Sequence, residues 1–179
     1  ALLTVLVNSG MIDFNLEELT GLNTKLKQEQ LEKKGKELAE KIGEWTPLIY
    51  SSFQNRFLAS FWKVKFNESS KTHAFWNHFP NLSHNEISGF AGPSMKSFVI
   101  LLSDSEDDNR QIKKTLVAAK LLSENGISYE IVKLEGKTRI GKIFSNYLLS
   151  DWTSYYLALN RKVDPTETEM IEKFKKMER

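Results

Sequence analysis

Three short apolar runs, set apart by amphipathic stretches, constrain this chain more than any other feature. Residues 46–52 (TPLIYSS) enter through a proline and read as a buried strand, residues 97–104 (SFVILLSD) as a second strand, and residues 127–135 (ISYEIVKLE) alternate as a third. After the second run come polar SEDDN and a segment in which Ile112, Leu116, Ala119 and Leu122 share a helical face, closed by Asn125-Gly126. That order is strand, acidic cap, helix, turn. Residues 54–63 and the aromatic-rich 140–159 also read as helices, and Asp164-Pro165-Thr166 restarts a last, strongly charged helix with proline at or near its first turn. Strands separated by helices pair in parallel through right-handed crossovers, which predicts an α/β fold, a three-layer α/β/α sandwich with a mainly parallel sheet. Ligands of such sheets gather at the carboxyl ends of the strands, here the loops after Ile49, Leu102 and Val132.

Long helices precede the sheet. Over residues 16–42, Leu19, Leu22, Leu26, Leu38 and Ile42 recur at helical steps among many Lys and Glu, with breaks expected near Gly21 to Asn23 or at Gly35, and Gly43 is a C-cap candidate. The opening ALLTVLV lacks a basic flank and a small-residue cleavage site, so it does not read as a signal peptide. Its abrupt apolar start suggests a chain cut from something larger.

At 179 residues, 40% hydrophobic and 27% charged, the chain has the balance of one globular domain. Its longest apolar runs, 98–102 and 1–7, fall short of the roughly 18 residues a bilayer crossing needs, so no membrane partner is expected. Twenty-five basic and twenty-three acidic residues are mixed along the chain and leave no broad footprint for nucleic acid. The absence of cysteine excludes thiolate catalysis and cysteine-ligated metals, and is compatible with a reducing cytoplasm.

The most unusual stretch is residues 64–90, which hold all three histidines (His73, His78, His84), the acids Glu68 and Glu86, and five Phe or Trp. Aromatic bodies beside titratable groups exclude water and move pKa values toward neutrality, which suits a general acid/base site. The plain alternative is a hydrophobic helix and loop with surface histidines. No metal site is expected, since His73 and His78 are five apart, off the i, i+4 spacing, and no HExxH occurs. The loop Asp104 to Asp108 reads as helix capping, with a magnesium site as the rival. Ser51 and Ser52 could present hydroxyls and amides to a phosphate, or simply cap a helix. Lys173, Lys175, Lys176 and Arg179 form a solvated tail unless one of them points inward.

Two separate motifs carry a resemblance. NESSKTHAFWNHFPNLSHNEISGF is similar to the signature of the bifunctional phosphoglucose/phosphomannose isomerases, Asn-Glu-Asn-x-x-x-x-Ala-Phe followed by Pro-Glu-Leu-x-His-Asn-Glu, and YLALNRKVDPTETEMIEKFK resembles the same family's ending. Ser69, Asn81 and Ser83 depart from the usual residues without removing a proposed catalytic group. The resemblance covers essentially the whole chain but only the C-terminal of two sugar isomerase (SIS, flavodoxin-like) halves. It divides the chain into a helical lead-in, residues 1–43, that links to a missing N-terminal half, and a C-terminal SIS domain, residues 44–179.

By position the resemblance implies that Glu68 is the base that moves a proton between C2 and C1 of an open-chain sugar phosphate through a cis-enediol. It implies that His84 opens the ring in the site of a neighbouring subunit, that Lys175 assists ring opening or stabilises charge, and that Thr168 leaves room for glucose and mannose epimers. A glutamate among Phe66, Phe75 and Trp76 is a reasonable base, and an aldose–ketose shift requires no redox cofactor. The expected activity interconverts glucose 6-phosphate or mannose 6-phosphate with fructose 6-phosphate in a cytoplasmic homodimer, the aromatic helix at 140–159 offering a surface to bury. The family's phosphate loops and a substrate arginine belong to the N-terminal half, so this half alone is expected to be inactive. Two rivals remain: a non-catalytic sugar-phosphate sensor on the same fold, and a flavodoxin-like or receiver-like module using Asp104 to Asp108 with magnesium.

Overall fold

The computed structural model describes residues 2–22, 26–92 and 96–178. Four parallel strands, β1 (Thr46–Ser51), β2 (Phe75–His78), β3 (Ser97–Ser103) and β4 (Ser128–Lys133), lie in the order β2-β1-β3-β4. The chain steps one way from β1 to β2 and the other way from β3 to β4, so the sheet changes direction between β1 and β3. The three predicted strands are all present. β2 escapes the sequence reading because FWNH is an edge strand of four residues, with Phe75 and Trp76 exposed, so it lacks the buried run that marks the others.

Two apolar layers cover the sheet. On one face Ile49, Phe98, Ile100, Leu102 and Val132 meet helices α2 (Gln28–Ile42), α3 (Arg56–Glu68) and α6 (Arg139–Asn160), through Leu38, Ile42, Trp62, Phe66 and Leu157 among others. On the other face Tyr50, Val99 and Leu101 meet Leu82 of the short helix α4 (Asn81–His84), Ile87 and Phe90 of the 3₁₀ helix Glu86–Ala91, and Ala118, Ala119 and Leu122 of α5 (Asn109–Glu124). This is the predicted α/β/α sandwich. β3 has six consecutive buried residues because it faces both layers. A first helix α1 (Leu2–Asn8), a 3₁₀ turn at Leu16–Leu19 and a last helix α7 (Glu169–Met177) contribute no buried residue.

Helix starts and stops follow the expected chemistry, with three shifts. Gly43 ends α2 with φ 50, and Asp108 caps α5 by accepting from the Gln111 N–H. α3 runs five residues beyond the expected end at Lys63, because Phe66 continues its buried face. The last helix starts after Thr168, not near Pro165: Asp164 accepts from the Thr166 N–H and hydroxyl, and that turn delays the helix. α2 passes through Gly35 unbroken, while the break expected near Gly21 to Asn23 falls partly outside the described residues, as Arg179 does entirely. Gly35 is there for close approach. A Cβ on it would lie 2.5 Å from Trp152 Cβ and 2.9 Å from the Thr153 backbone nitrogen of α6.

The change of direction between β1 and β3 is filled by an ion cluster. Asp104, just beyond β3, accepts from Lys142 Nζ at 2.6 Å and from Arg139 at 3.0 Å, and Lys142 also pairs with Glu106 at 2.9 Å. Burial pushes the Asp104 carboxyl up, but the Lys142 hydrogen bond, the Glu106 N–H and the Lys142 charge outweigh it and hold it below the ordinary carboxylate range. Burial pushes the Lys142 ammonium down, and its bonds to Asp104 and Glu106 outweigh that and raise it. Asp104 therefore contributes stability in full above the unfolded value of about 3.9 and loses it as pH falls through its lower native value. Lys142 contributes in full below its unfolded value and loses it only as pH rises through the raised native one.

Two outcomes follow for stability. Ala at position 35 improves helix propensity by roughly 1 kcal/mol, yet Gly35→Ala should destabilise by about 2 kcal/mol in denaturant titrations because backbone cannot yield to the new methyl. A stabilised variant would mean that α2 and α6 are not in that contact. Asp104→Asn should cost about 3 kcal/mol at neutral pH and flatten the loss of stability below about pH 4, and an acid limb identical to the wild type would place that loss in other carboxylates.

Candidate active site

Glu68 ends α3. That helix returns from the carboxyl end of β1, so its last turn arrives at the amino edge of the sheet, and Asn67 Oδ1 there accepts from the Ala74 N–H beside the start of β2. The loop between alternates inward and outward: Ser70, Thr72 and Ala74 are buried, while Lys71, His73 and Phe75 face out. Two cations pin it. Arg161, at the end of α6, donates to the Thr72 hydroxyl at 2.7 Å and also to the carbonyls of Gly43 and Trp45. Lys71 Nζ donates to the Glu68 carbonyl at 2.5 Å and to the Glu167 carbonyl at 2.7 Å.

That last bond brings the final helix to Glu68. Glu167 is followed by Thr168, the residue at the N-cap of α7, and Lys175 lies two turns on, where it pairs with Glu172 at 2.9 Å. Two of the residues named from sequence, Glu68 and Thr168, thus lie on segments remote in the chain that Lys71 ties together, and Lys175 follows on the helix that Thr168 begins. All three are solvent-facing. The expectation that Phe66, Phe75 and Trp76 enclose Glu68 needs correcting: Phe66 points into the core, Phe75 and Trp76 sit on an exposed edge, and the carboxylate stands in water. α7 shows Met170, Ile171, Phe174 and Met177 to solvent as one apolar stripe.

His84 is elsewhere. It ends α4, which follows the carboxyl end of β2 and the cis Phe79–Pro80 bond, and α4 packs on the opposite face of the sheet from α3. The sheet therefore lies between the two groups within one chain. The segment carrying His84 is anchored two residues on by Glu86, which accepts from the Tyr50 hydroxyl at 2.8 Å and from the Asn77 amide. Burial first, then the Glu86 carboxylate, raises the Tyr50 phenol far above its ordinary value, so it stays a donor. Glu86 is thereby occupied as an anchor. His84 itself is exposed, and His78 packs edge-on against Phe53.

Ser51 and Ser52 occupy a third place, the carboxyl edge between β1 and β3. Both are buried; Ser51 donates to the Ser52 carbonyl at 3.0 Å, and Ser52 accepts from Asn55 at 3.1 Å and hydrogen-bonds Asp107. They do not join Glu68, and their hydroxyls are engaged beside Asp104 and Asp107. Among the described residues no group of three or more His, Asp or Glu is arranged to hold a metal ion. The sequence reading missed Lys71, although it lies inside the quoted motif three residues after Glu68. No periodicity marks it, because its role is to hold backbone carbonyls.

Comparison with known proteins bears on the family and the fold. The chain is 31% identical over 169 residues to the bifunctional phosphoglucose/phosphomannose isomerase of Aquifex aeolicus, covering 92% of this chain and 53% of that one. It is 35% identical over 143 residues to the enzyme of the same name from Thermoplasma volcanium, covering 79% and 46%. The chain thus spans about half the length of the curated relatives it matches. For the fold, a glucose-6-phosphate isomerase like protein from Thermus thermophilus superposes with a TM-score of 0.64 at 24% identity, over 78% of this chain and 46% of that one. The C-terminal domain of a glucosamine-fructose-6-phosphate aminotransferase from Francisella tularensis gives 0.67 at 15% identity, over 84% and 46%. Residues 31–177 match the model of the bacterial phospho-glucose isomerase C-terminal SIS domain, and the chain belongs to this family.

Proposed function

We propose that this chain is the C-terminal half of an aldose–ketose isomerase that interconverts glucose 6-phosphate and mannose 6-phosphate with fructose 6-phosphate. The observation that supports the reading is that Lys71 bonds both the Glu68 carbonyl and the Glu167 carbonyl, which immediately precedes Thr168 and the helix that carries Lys175. Glu68 takes the C2 proton of the open-chain sugar and returns it at C1, so both carbons of the cis-enediol face one carboxylate. Lys175 supports ring opening and the charge that develops on the sugar oxygens, and Thr168, with its short side chain, leaves room for rotation about C2–C3. No cofactor takes part in this proton transfer.

The remaining pieces come from outside one copy of this chain. Residues 1–43 lead in from a preceding SIS half and residues 44–179 carry the acid/base groups; the preceding half supplies the phosphate cradle. Binding energy from that remote phosphate is what places C1 and C2 over Glu68, so residues 1–179 alone turn over substrate poorly. The sheet between Glu68 and His84 supports a homodimer in which His84 opens the ring in the partner's site. Such an enzyme works on free sugar phosphates in the cytoplasm, and no helix among the described residues is long and apolar enough to cross a membrane.

The test is a coupled assay of fructose 6-phosphate turnover on the protein carrying both halves, following both aldose products. Glu68→Gln should lower formation of both by about 10³-fold or more with substrate still bound. Unchanged rates would remove Glu68 as the base, and a wild type that binds the sugar phosphate without exchanging its C2 proton would leave a sensor in place of an enzyme.

A further inference from the structure

Lys71 touches both parts of the proposed site at once. Its ammonium donates to the carbonyl of Glu68, in the last turn of α3, and to the carbonyl of Glu167, 96 positions further on than Lys71 and immediately before Thr168. The first acceptor belongs to the carbonyls at a helix end that have no partner within the helix and carry the negative end of its dipole, so a cation there is favoured twice. The second acceptor holds a segment with little else to hold it. α7 buries no residue, and it packs only sparsely on the other elements.

The backbone of Lys71 gives an independent sign. Its φ is 51, in the left-handed region where a Cβ crowds the following carbonyl and where glycine or asparagine sits with less strain. A side chain that the local backbone disfavours is present, and that side chain makes one bond back to its own turn and one across the chain. Its charge also acts on Asp164, whose carboxyl is held below the ordinary range first by the Thr166 hydroxyl and N–H and further by Lys71. The ammonium thus donates to two carbonyls, one on the Glu68 turn and one on the α6–α7 connection, which also carries the Asp164 charge it acts on.

We infer that Lys71 is a positioning residue of the isomerase site, one that sets where the helix bearing Thr168 and Lys175 begins relative to Glu68. The inference rests on the functional reading above and deepens it. Lys71 bonds only to main-chain carbonyls of these segments and engages neither the Glu68 carboxylate nor the Lys175 ammonium, which pairs with Glu172. Its loss removes no titrating group from the chemistry. What changes is the distance between groups that must act on the same two carbons, and a misplacement of about 1 Å can cost about 10²-fold in rate.

The experiment compares Lys71→Met, which keeps the aliphatic stem, with Lys71→Arg, which keeps the cation and its donors, and runs Glu68→Gln alongside. Hydrogen exchange of residues 167–177 reads the tether, while kcat, KM and the pH profile for fructose 6-phosphate in the protein with both halves read the positioning. In Lys71→Met, α7 amides should exchange about tenfold faster, and kcat should fall by about 10²-fold with KM and the shape of the pH profile kept. Lys71→Arg should restore most of both. Unchanged α7 exchange in the Met variant would overturn the tether, and faster exchange with an intact kcat would overturn the positioning role. A raised KM at constant kcat would make Lys71 a substrate contact instead. A wild type without isomerase activity, or a fully active Glu68→Gln, would instead sink the functional reading and the positioning role with it, with α7 exchange still reporting separately whether the tether exists.

Discussion

Arg161 gathers the amino edge of the sheet. Its guanidinium, at the end of α6, donates to the carbonyls of Gly43 and Trp45, which close α2 and open β1, and to the hydroxyl of Thr72 in the loop before β2. Charge-assisted bonds of this kind are worth about 1.5–3 kcal/mol each in favourable settings, and a planar fork loses little freedom in making several. Three elements are thereby held at fixed heights at one end of the sandwich. The loop that carries Lys71 grows out of that anchored platform, and Lys71 extends it to the start of α7. The position of Glu68 relative to Thr168 thus descends from a chain of main-chain carbonyls held by two cations.

The opposite edge is built differently. There the crevice where strand order reverses, the usual ligand position in an open parallel sheet, holds Asp104 paired with both Lys142 and Arg139. Lys142 is buried there, and Asp104 and Glu106 answer its charge within the fold. Of the candidate residues only Ser51 and Ser52 lie at this crevice: Glu68 and Thr168 are at the amino edge on the α3 side, and His84 is on the α4 side. Glu68 and His84 are both exposed and belong to elements on opposite faces of one sheet, and on the proposed reading each is completed by another polypeptide surface. The apolar stripe of α7 beside Lys175 fits the same picture of a domain whose chemistry is finished by a second body.

Much of the fold was legible because its strands are buried on both faces and its helices amphipathic. The run in β3, the cap at Asp108 and the turn at Asn125-Gly126 are local signals that tertiary contact reinforces. β2 was not legible, since an exposed edge strand obeys its neighbour's hydrogen bonds and not a hydrophobic pattern. Gly35 suggested a helix break and instead marks a crossing, because sequence shows flexibility but not what lies 2.5 Å away. Glu68, Thr168 and Lys175 were found through motif resemblance, and the structure adds that Thr168 adjoins the residue bonded to the Glu68 turn. The enclosure of Glu68 was misjudged, for aromatic neighbours in sequence point inward at Phe66 and outward at Phe75 and Trp76. Lys71 had no signal of its own, since carbonyl acceptors are present at every residue.

The central claim is that Glu68 and His84, parted by the sheet in one chain, serve one site contributed by two. Mixing Glu68→Gln and His84→Gln proteins, each inactive alone, under conditions that exchange subunits tests it most directly. In a mixed dimer one site then pairs an intact Glu68 with an intact His84, and activity should return to about a quarter of the wild-type value, half of the dimers being mixed with one whole site in two. Exchange without any recovery would contradict the account and place both groups of a working site in the same chain.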